Sequence, residues 1–309
     1  MDRIKICDVI DLNDKIEEWN TEIQKAGLIS YAGWELEFYP ICGDILVLTF
    51  ECVINTNEQF DLYEYRFLQY DLVKQKFLEK NYSISLYGQM CCKVLEIDES
   101  GLLLDIWDIE EDINIILHSK DMCTVVASGY GPSMSACLPN SNRIVVGYGY
   151  EAVRYNQEVP IKIYDKTTGA SIYRYINSKA LGCDDIYVDT KGIVWASFWG
   201  DNRIVKIDGD VICEYDCEMN GFAGILMVED ERTLYMNFAY DDNAYGDRIF
   251  KMNLKDGKFR NAREVKIIDD FNKEIGIKKI SSENGYALGL LNENIVGVLR
   301  FNYDMRPTL

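Results

Sequence analysis

The chain has 309 residues, of which 48% are hydrophobic, and this composition excludes a globally disordered protein. Its formal net charge of −19 at pH 7 disfavours nucleic acid phosphates and anionic membrane surfaces as partners. The N-terminus, MDRIKICDVIDLND, lacks the long apolar stretch of a signal peptide, and no run approaches transmembrane length. We therefore expect one cytoplasmic domain over residues 1–309.

The first predicted elements are a strand and a helix. Residues Lys5 to Leu12 favour a strand. Over Asn13–Ala26 the spacing of apolar residues then becomes that of an amphipathic helix. Its apolar face carries Ile16, Trp19, Ile23 and Ala26. Asn13 is the predicted N-cap, and Gly27 can end the helix.

A four-strand repeat is clearest between Cys183 and Cys217, which reads CDDIYVDTKGIVWASFWGDNRIVKIDGDVICEYDC. Runs rich in β-branched and aromatic residues alternate there with turns at Asp189–Gly192, Gly200–Asn202 and Asp208–Asp210. Four short antiparallel strands in about forty residues are typical of one blade of a β-propeller.

The remaining chain reads as imperfect copies of this blade. The copies run from Glu35 to about Ser83, Cys92 to Ser128, Ser133 to Ile176, Gly221 to about Ile268, and onward from about Ile280. In the first, the fourth strand is predicted over Lys76–Ile84, and in the third, Glu151 to Val159 is predicted as a long loop. The last copy has three clear strands ending in Ile295–Phe301.

The sequence therefore predicts an all-β propeller of about six four-stranded blades, although five or seven remain open. The N-terminal strand, which belongs to no blade, is predicted to complete the last one and close the ring. The helix after it should then lie near the mouth of the central channel and cover part of the opening.

Aromatic and acidic residues gather at the ends of the second strands and in the loops that follow. Because such loops lie at the mouth of a propeller, we expect an acidic, aromatic site that binds a peptide, a protein or a small molecule. The predicted ligand-binding residues are Tyr148, Tyr150, Trp199, Tyr240, Asp241, Asp242 and Tyr245. Phe198 and Phe238 are expected between blades instead, and for Tyr148 and Trp199 exposed and buried positions both remain open.

The segment Cys183 to Asp208 resembles the gluconolactonase/senescence-marker-protein family of six-bladed propellers, and also NHL-repeat and streptogramin-lyase blades. In the first family, P-D-G-x-x-x-D-x-x-G-x-x-W-V-A carries a metal-binding Asp, which falls on Asp184. Glu35 stands near the place of that family's Glu ligand. The resemblance thus implies a Ca²⁺ or Mg²⁺ ion in the channel, held by Glu35 and Asp184.

Two functions follow from these observations. The segment from Ser133 to Ser135, where the lactonase family has an Asn ligand, contains no Asn, and the single histidine, His118, lies in an outer strand pair. The favoured hypothesis is a non-catalytic binding propeller, and the alternative is a metal-dependent, lactonase-like hydrolase or a lyase. The ten cysteines fall mostly in apolar runs and are expected to be reduced.

Overall fold

The computed structural model describes residues 3–30, 33–38, 41–42, 45–55, 61–88, 90–98, 101–119, 125–156, 158–176, 182–217, 222–239, 248–269, 271, 273–275, 280–283, 286–292 and 294–300. Strands predominate in these ranges, with two α-helices between them. Within the described ranges, neither helix is long and apolar enough to span a lipid bilayer.

The chain begins with strand β1 (Arg3–Asp11) and helix α1 (Asn13–Lys25). Blade 1 contains β2 (Ile29–Ser30), β3 (Glu35–Phe38), β4 (Ile41–Cys42), β5 (Ile45–Asn55), β6 (Leu62–Asp71), β7 (Lys76–Phe77) and β8 (Tyr82–Tyr87). Blade 2 contains β9 (Met90–Asp98), β10 (Gly101–Asp108), β11 (Ile113–His118) and β12 (Val125–Tyr130). Blade 3 contains β13 (Ser133–Cys137), β14 (Arg143–Tyr148), helix α2 (Tyr150–Asn156), β15 (Ile161–Asp165) and β16 (Ser171–Tyr175).

Three further antiparallel units follow in the described residues. Blade 4 contains β17 (Asp185–Val188), β18 (Val194–Phe198), a short 3₁₀ turn (Trp199–Asp201), β19 (Arg203–Asp208) and β20 (Val211–Cys217). Blade 5 contains β21 (Phe222–Asp230), β22 (Thr233–Ala239), β23 (Ile249–Lys255) and β24 (Lys258–Ile268). Blade 6 begins with β25 (Ile280–Glu283), β26 (Tyr286–Asn292) and β27 (Ile295–Arg300).

The N-terminal strand completes blade 6. β1 pairs antiparallel with β27, from Lys5 opposite Arg300 to Asp11 opposite Ile295. On its other side β1 runs parallel to β24 of blade 5. Neighbouring inner strands β9, β13, β17, β21 and β25 also contact each other in turn around the central axis. The predicted all-β propeller with a ring closed by the N-terminal strand is therefore confirmed.

The burial pattern explains why these segments form blades. All five residues of β18 are buried, because both faces of a second strand pack against neighbouring blades. In contrast, the first four residues of β16 alternate between partly buried and exposed, as expected for an outer strand beside solvent, and Tyr175 at its end is buried. Phe198 of blade 4 lies 5.9 Å from the ring of Tyr175 in blade 3, so the prediction that it packs between blades is correct.

Helix α1 packs on blade 1 at its junction with blade 6. Trp19 and Ile23 are buried in one core cluster with Trp34 and Phe50. The guanidinium group of Arg66 lies over the rings of Trp19 and Trp34, at 5.2 and 4.9 Å from their centres, and contributes cation–π attraction. The helix follows Asp11 at the mouth end of β1, which agrees with its predicted location near the mouth.

The ends of α1 differ in part from prediction. Gly27 ends the helix with a left-handed φ of 72°, as expected. Asn13, however, is the first helical residue and not its cap, because its backbone and side-chain N–H groups both donate to the carboxylate of Asp11. Ala26 is exposed, so the buried stripe ends at Ile23.

Two local predictions were wrong. The fourth strand of blade 1 is interrupted between β7 and β8, after a turn in which the Asp71 carboxylate accepts the N–H groups of Val73 and Lys74. The segment predicted as a loop in blade 3 contains helix α2. Its Ala152 and Val153 are buried against blades 2 and 3, a tertiary contact that stabilises a helix too short to form alone.

Ring closure by β1 predicts that alanine substitutions at two neighbouring residues of this strand change the stability of the protein by different amounts. Ile10 is 2% exposed and packs in a cluster with Val296 and Val298, whereas Val9 is 54% exposed. Ile10→Ala should lower the free energy of unfolding by about 2–5 kcal/mol, because it leaves a cavity at the closure. Val9→Ala, the matched control, should cost less than about 0.5 kcal/mol. Urea unfolding measures both, and equal effects would contradict the role of β1.

Candidate functional site

Strand direction defines the mouth of the channel. Each inner strand begins, and each second strand ends, at the same end of the blade, as the pairings of Met90 with Asp108 and of Ser133 with Tyr148 show. Polar side chains gather below this end in what we call the channel cluster. Its members are Lys93, Asp105, Asn114, Ser133, Ser135, Asp185 and Asn237. They come from blades 2, 3, 4 and 5.

Asp105 is the buried centre of this cluster. Its carboxylate accepts hydrogen bonds from the Asn114 amide and from the Ser135 hydroxyl. The Ser133 hydroxyl lies 3.3 Å from the same carboxylate and 2.9 Å from Asn114 Oδ1. Burial raises the pKa of Asp105, while these donors and the charge of Lys93 oppose the rise. The hydrogen bonds from blade 3 thus tie blades 2 and 3 together at the axis.

Lys93 reaches from blade 2 towards blade 4. It stands opposite Asp105 in the β9–β10 pairing, and its ammonium group donates to Ser135 O of blade 3 at 3.1 Å. Its charge lowers the pKa values of both Asp105 and Asp185. One ammonium group is therefore shared electrostatically between two carboxylates of different blades.

Asp185 joins blade 4 to blade 5. Its Oδ2 accepts the backbone N–H of Ile225 at 2.6 Å, where the register between β21 and β22 shifts. Burial raises the pKa of this carboxyl to about 6, against the opposing effect of that hydrogen bond. A Cβ placed on Gly224 would lie 3.6 Å from Asp185 Oδ2 and only 2.3 Å from Asn237 Oδ1. The Asn237 amide therefore lies directly against the inner strand, beside Asp185.

Above the cluster, blades 2 and 3 form an aromatic and acidic surface that we call the mouth rim. Its described members are Trp107, Glu110, Glu111, Asp112, Tyr130, Tyr150, Glu151, Arg154 and Tyr155. Asp112 accepts the indole N–H of Trp107 at 3.2 Å and the hydroxyl of Tyr130. That hydrogen bond and the charges of Asp112 and Glu151 raise the pKa of Tyr130. Carboxylates from two blades thus surround an exposed phenol.

Helix α2 adds an exposed pair of tyrosines to the rim. Tyr150 is 42% exposed and Tyr155 is 67% exposed. The Arg154 guanidinium carbon lies 5.3 and 5.8 Å from their ring centres. The two rings therefore already hold a cation of the protein's own chain at the distance of a cation–π contact.

Acidic groups continue from the rim to blade 1. Glu51 stands opposite Glu35 in the strand pairing and accepts the hydroxyl of Tyr65 at 2.7 Å. Burial raises the pKa of Tyr63, and the charges of Glu51, Asp61 and Glu110 raise it further. Blade 1 and the turn after β10 therefore place their carboxylates close together at the mouth.

The structure divides the predicted ligand-binding residues into three groups. Tyr150 is exposed at the rim. For Tyr148 exposed and buried positions were both open, and the structure shows the buried one: the side chain is 1% exposed, its hydroxyl lies 2.7 Å from that of Tyr164, and the ring fills the contact between blades 2 and 3, where it is not available to a ligand. The side chain of Trp199 and that of Phe238 lie outside the described residues, as do Tyr240, Asp241, Asp242 and Tyr245.

The predicted metal ligands lie on different blades. Glu35 is exposed at the start of β3, and Asp184 is partly buried just before β17, with its backbone N–H bonded to Ser197 O at 2.9 Å. In the part of the chain that the structure describes, no three His, Cys, Asp or Glu side chains are grouped as metal ligands. His118 ends β11, away from the mouth. The seven cysteines whose side chains the structure describes are free thiols.

Sequence reasoning missed Lys93, Asp105 and Asn237. A signal existed, because Lys93 and Asp105 are single charges inside the apolar runs MCCKVL and LLLDIW. A charge within a strand that is otherwise apolar indicates a paired or functional group.

Comparisons with known proteins give distant matches among solved structures alone. No protein-family model matches the chain, and no curated protein matches it. Among solved structures, it is similar to BamB from Moraxella catarrhalis, with 9% identity over 90% of this chain and 99% of that chain and a TM-score of 0.43.

Two further structures are similar to the same degree. A catalytically inactive virginiamycin B lyase from Staphylococcus aureus, with quinupristin, is 10% identical over 89% of this chain and 98% of that chain, with a TM-score of 0.46. YCF48 bound to D1 peptide is 10% identical over 89% of this chain and 80% of that chain, with a TM-score of 0.42. Similarity at this level carries no argument about function.

The raised pKa of Asp185 predicts how stability depends on pH. The folded protein binds this proton more tightly than the unfolded chain, so Asp185 lowers the free energy of unfolding as pH rises from about 4 to about 6. Asp185→Asn cannot titrate, so its stability relative to wild type should increase over that window, by at most about 1.4 kcal/mol per pH unit. Above the window the difference should be constant.

The control for this experiment is Asp210→Asn, which removes an exposed carboxyl at the β19–β20 hairpin. It measures what the loss of a solvent-exposed carboxylate does to stability over the same pH range. Denaturant unfolding at several pH values measures both variants. A flat difference for Asp185→Asn would contradict the burial of this carboxyl.

Proposed function

We propose that this protein is a non-catalytic propeller that binds a cationic ligand, such as a basic peptide segment, at the mouth rim. The observation that carries the proposal is the exposed pair Tyr150 and Tyr155 with Arg154 between them, beside the carboxylates of Asp112 and Glu151. Aromatic faces and carboxylates together attract ammonium and guanidinium groups.

Aromatic contacts support this choice of ligand. An exposed cation–π contact contributes about 0.5–1 kcal/mol, so one ring alone binds a cation weakly. Tyr130 is 37% exposed and lies at the end of β12, and α2 packs on that strand. Several rings at one rim allow a ligand with more than one positive charge to make several such contacts at once.

Electrostatics support the same choice. Glu110, Glu111 and Glu151 are exposed at the rim, and the chain as a whole carries a formal charge of −19. Such a field raises the local concentration of cations and their association rate, and it repels anionic competitors. The affinity should therefore fall as salt concentration increases.

The channel cluster supports a binding role over a catalytic one. Asp105, its most buried carboxylate, accepts hydrogen bonds from neighbouring side chains, and Asp185 accepts a backbone N–H. Each carboxylate is thus held by groups that order the blades. A general base instead needs an oxygen within reach of a substrate proton.

The proposal predicts no stabilisation by metals at Asp184. In thermal-shift titrations with Ca²⁺, Mg²⁺, Mn²⁺ and Zn²⁺, wild type and Asp184→Ala should respond alike. A metal that bound the folded state through Asp184 would raise the melting temperature of wild type alone, by mass action. That outcome would favour the metal-dependent hydrolase or lyase instead.

The proposal predicts that rim charges control affinity. Two ligands with three positive charges each, spermidine and acetyl-Lys-Lys-Lys-amide, can be titrated by calorimetry at low salt. Removing the exposed charges by Glu111→Gln with Glu151→Gln should weaken both ligands at least fivefold, because two attractive charges are lost from the rim.

The matched control removes two exposed charges from the opposite end of the propeller, by Asp208→Asn with Asp210→Asn. This variant has the same net charge as the rim variant, and its affinities should change less than twofold. Equal weakening by both pairs would show attraction by net charge alone and would contradict a site at the rim.

A further inference from the structure

We propose that the channel cluster is a second subsite of the same ligand, in which Lys93 donates a hydrogen bond to a carbonyl oxygen. This inference rests on the proposed function, because the cation at the rim holds the ligand above the channel. It specifies the ligand as a peptide, since a simple polyamine has positive charges and no carbonyl group.

Lys93 has hydrogen-bonding capacity to spare. A lysine ammonium group has three donors. In the described part of the chain it donates one hydrogen bond, to Ser135 O at 3.1 Å. The ammonium group can therefore donate to further acceptors in the channel while it stays attached to blade 3.

The charges around Lys93 favour a neutral acceptor. Asp105 and Asp185 are close enough to Lys93 for its charge to lower their pKa values, and both are held by other donors. Two carboxylates near one ammonium group repel an anionic ligand. A neutral carbonyl oxygen accepts from Lys93 without that repulsion, so a peptide group fits better than a carboxylate.

Gly224 allows the side-chain amide of Asn237 to lie next to Asp185. Its φ is outside the left-handed region, so the backbone does not require glycine there. A Cβ would nevertheless come within 2.3 Å of Asn237 Oδ1. Glycine thus leaves room for a side-chain amide, which offers donors and an acceptor next to Asp185. A side-chain amide is the natural partner of a second peptide amide, because each can donate to and accept from the other.

The two subsites lie within a few residues of each other along the chain. Ser133 of the cluster follows Tyr130 of the rim by three residues, which span at most about 11 Å when extended. Asn114 follows Asp112 by two residues, or at most about 7 Å. A peptide with a lysine side chain at the rim can therefore place a backbone carbonyl at the cluster.

The test compares acetyl-Lys-Lys-Lys-amide with spermidine, which carries the same charge and lacks carbonyl groups. Lys93→Met should weaken the peptide at least fivefold and should leave spermidine unchanged or more tightly bound, because a positive charge is lost. Lys191→Met removes an exposed lysine from a turn at the far end of blade 4 and should change neither affinity. Calorimetry measures the affinity of wild type and of each variant for each of the two ligands.

If Lys93→Met lowers the melting temperature strongly, the affinities of wild type for the two ligands test the subsite instead. It should bind the peptide at least fivefold more tightly than spermidine. Equal affinities in wild type, or equal effects of Lys93→Met on both ligands, would overturn the carbonyl subsite while leaving the rim site intact. Failure of both ligands to bind wild type would overturn the rim site itself, and the subsite with it.

Discussion

The pairing of β1 with β27 is the contact on which the rest of the structure depends. A blade has two apolar faces, and each is buried only if another blade stands on that side. Blades 1 to 5 are complete in chain order, whereas in the described residues blade 6 has only β25, β26 and β27 of its own. It therefore lacks a fourth strand at the point where the first and last blades meet. Because β1 supplies that strand and also runs beside β24, the N-terminus stabilises blades 5 and 6 and brings α1 to blade 1.

Ring closure has a second consequence at the axis. Inner strands converge there, and side chains from different blades become neighbours. In this chain the neighbours are polar, so Asp105 and Asp185 make hydrogen bonds that cross from one blade to the next. A buried carboxylate is tolerated only when it is paired or hydrogen-bonded, and these bonds also fix the relative positions of the blades. The same residues therefore order the ring and present Lys93 to the channel.

The mouth rim shows how insertions on a regular scaffold create an exposed aromatic and acidic surface. Helix α2 is held by Ala152 and Val153 in the core, and this leaves Tyr150 and Tyr155 free to face solvent. The turn after β10 brings Asp112 to Tyr130 of the outer strand. Neither element belongs to the repeating four-strand pattern. A ligand at the rim would contact these insertions while the strands beneath them hold the channel cluster in place.

The sequence by itself determined most of the strands and the helix α1, because alternating apolar residues and turn residues act over a few positions. The last repeat, one strand short, and the unassigned N-terminal strand then indicated the closure of the ring. It also indicated an acidic, aromatic mouth. It did not determine which aromatic rings are exposed: Tyr148 and Tyr150 are two residues apart, yet one is buried and the other faces solvent. Nor did it bring together Lys93, Asp105 and Asp185. Those positions depend on which blades become neighbours around the axis, and only tertiary packing decides that.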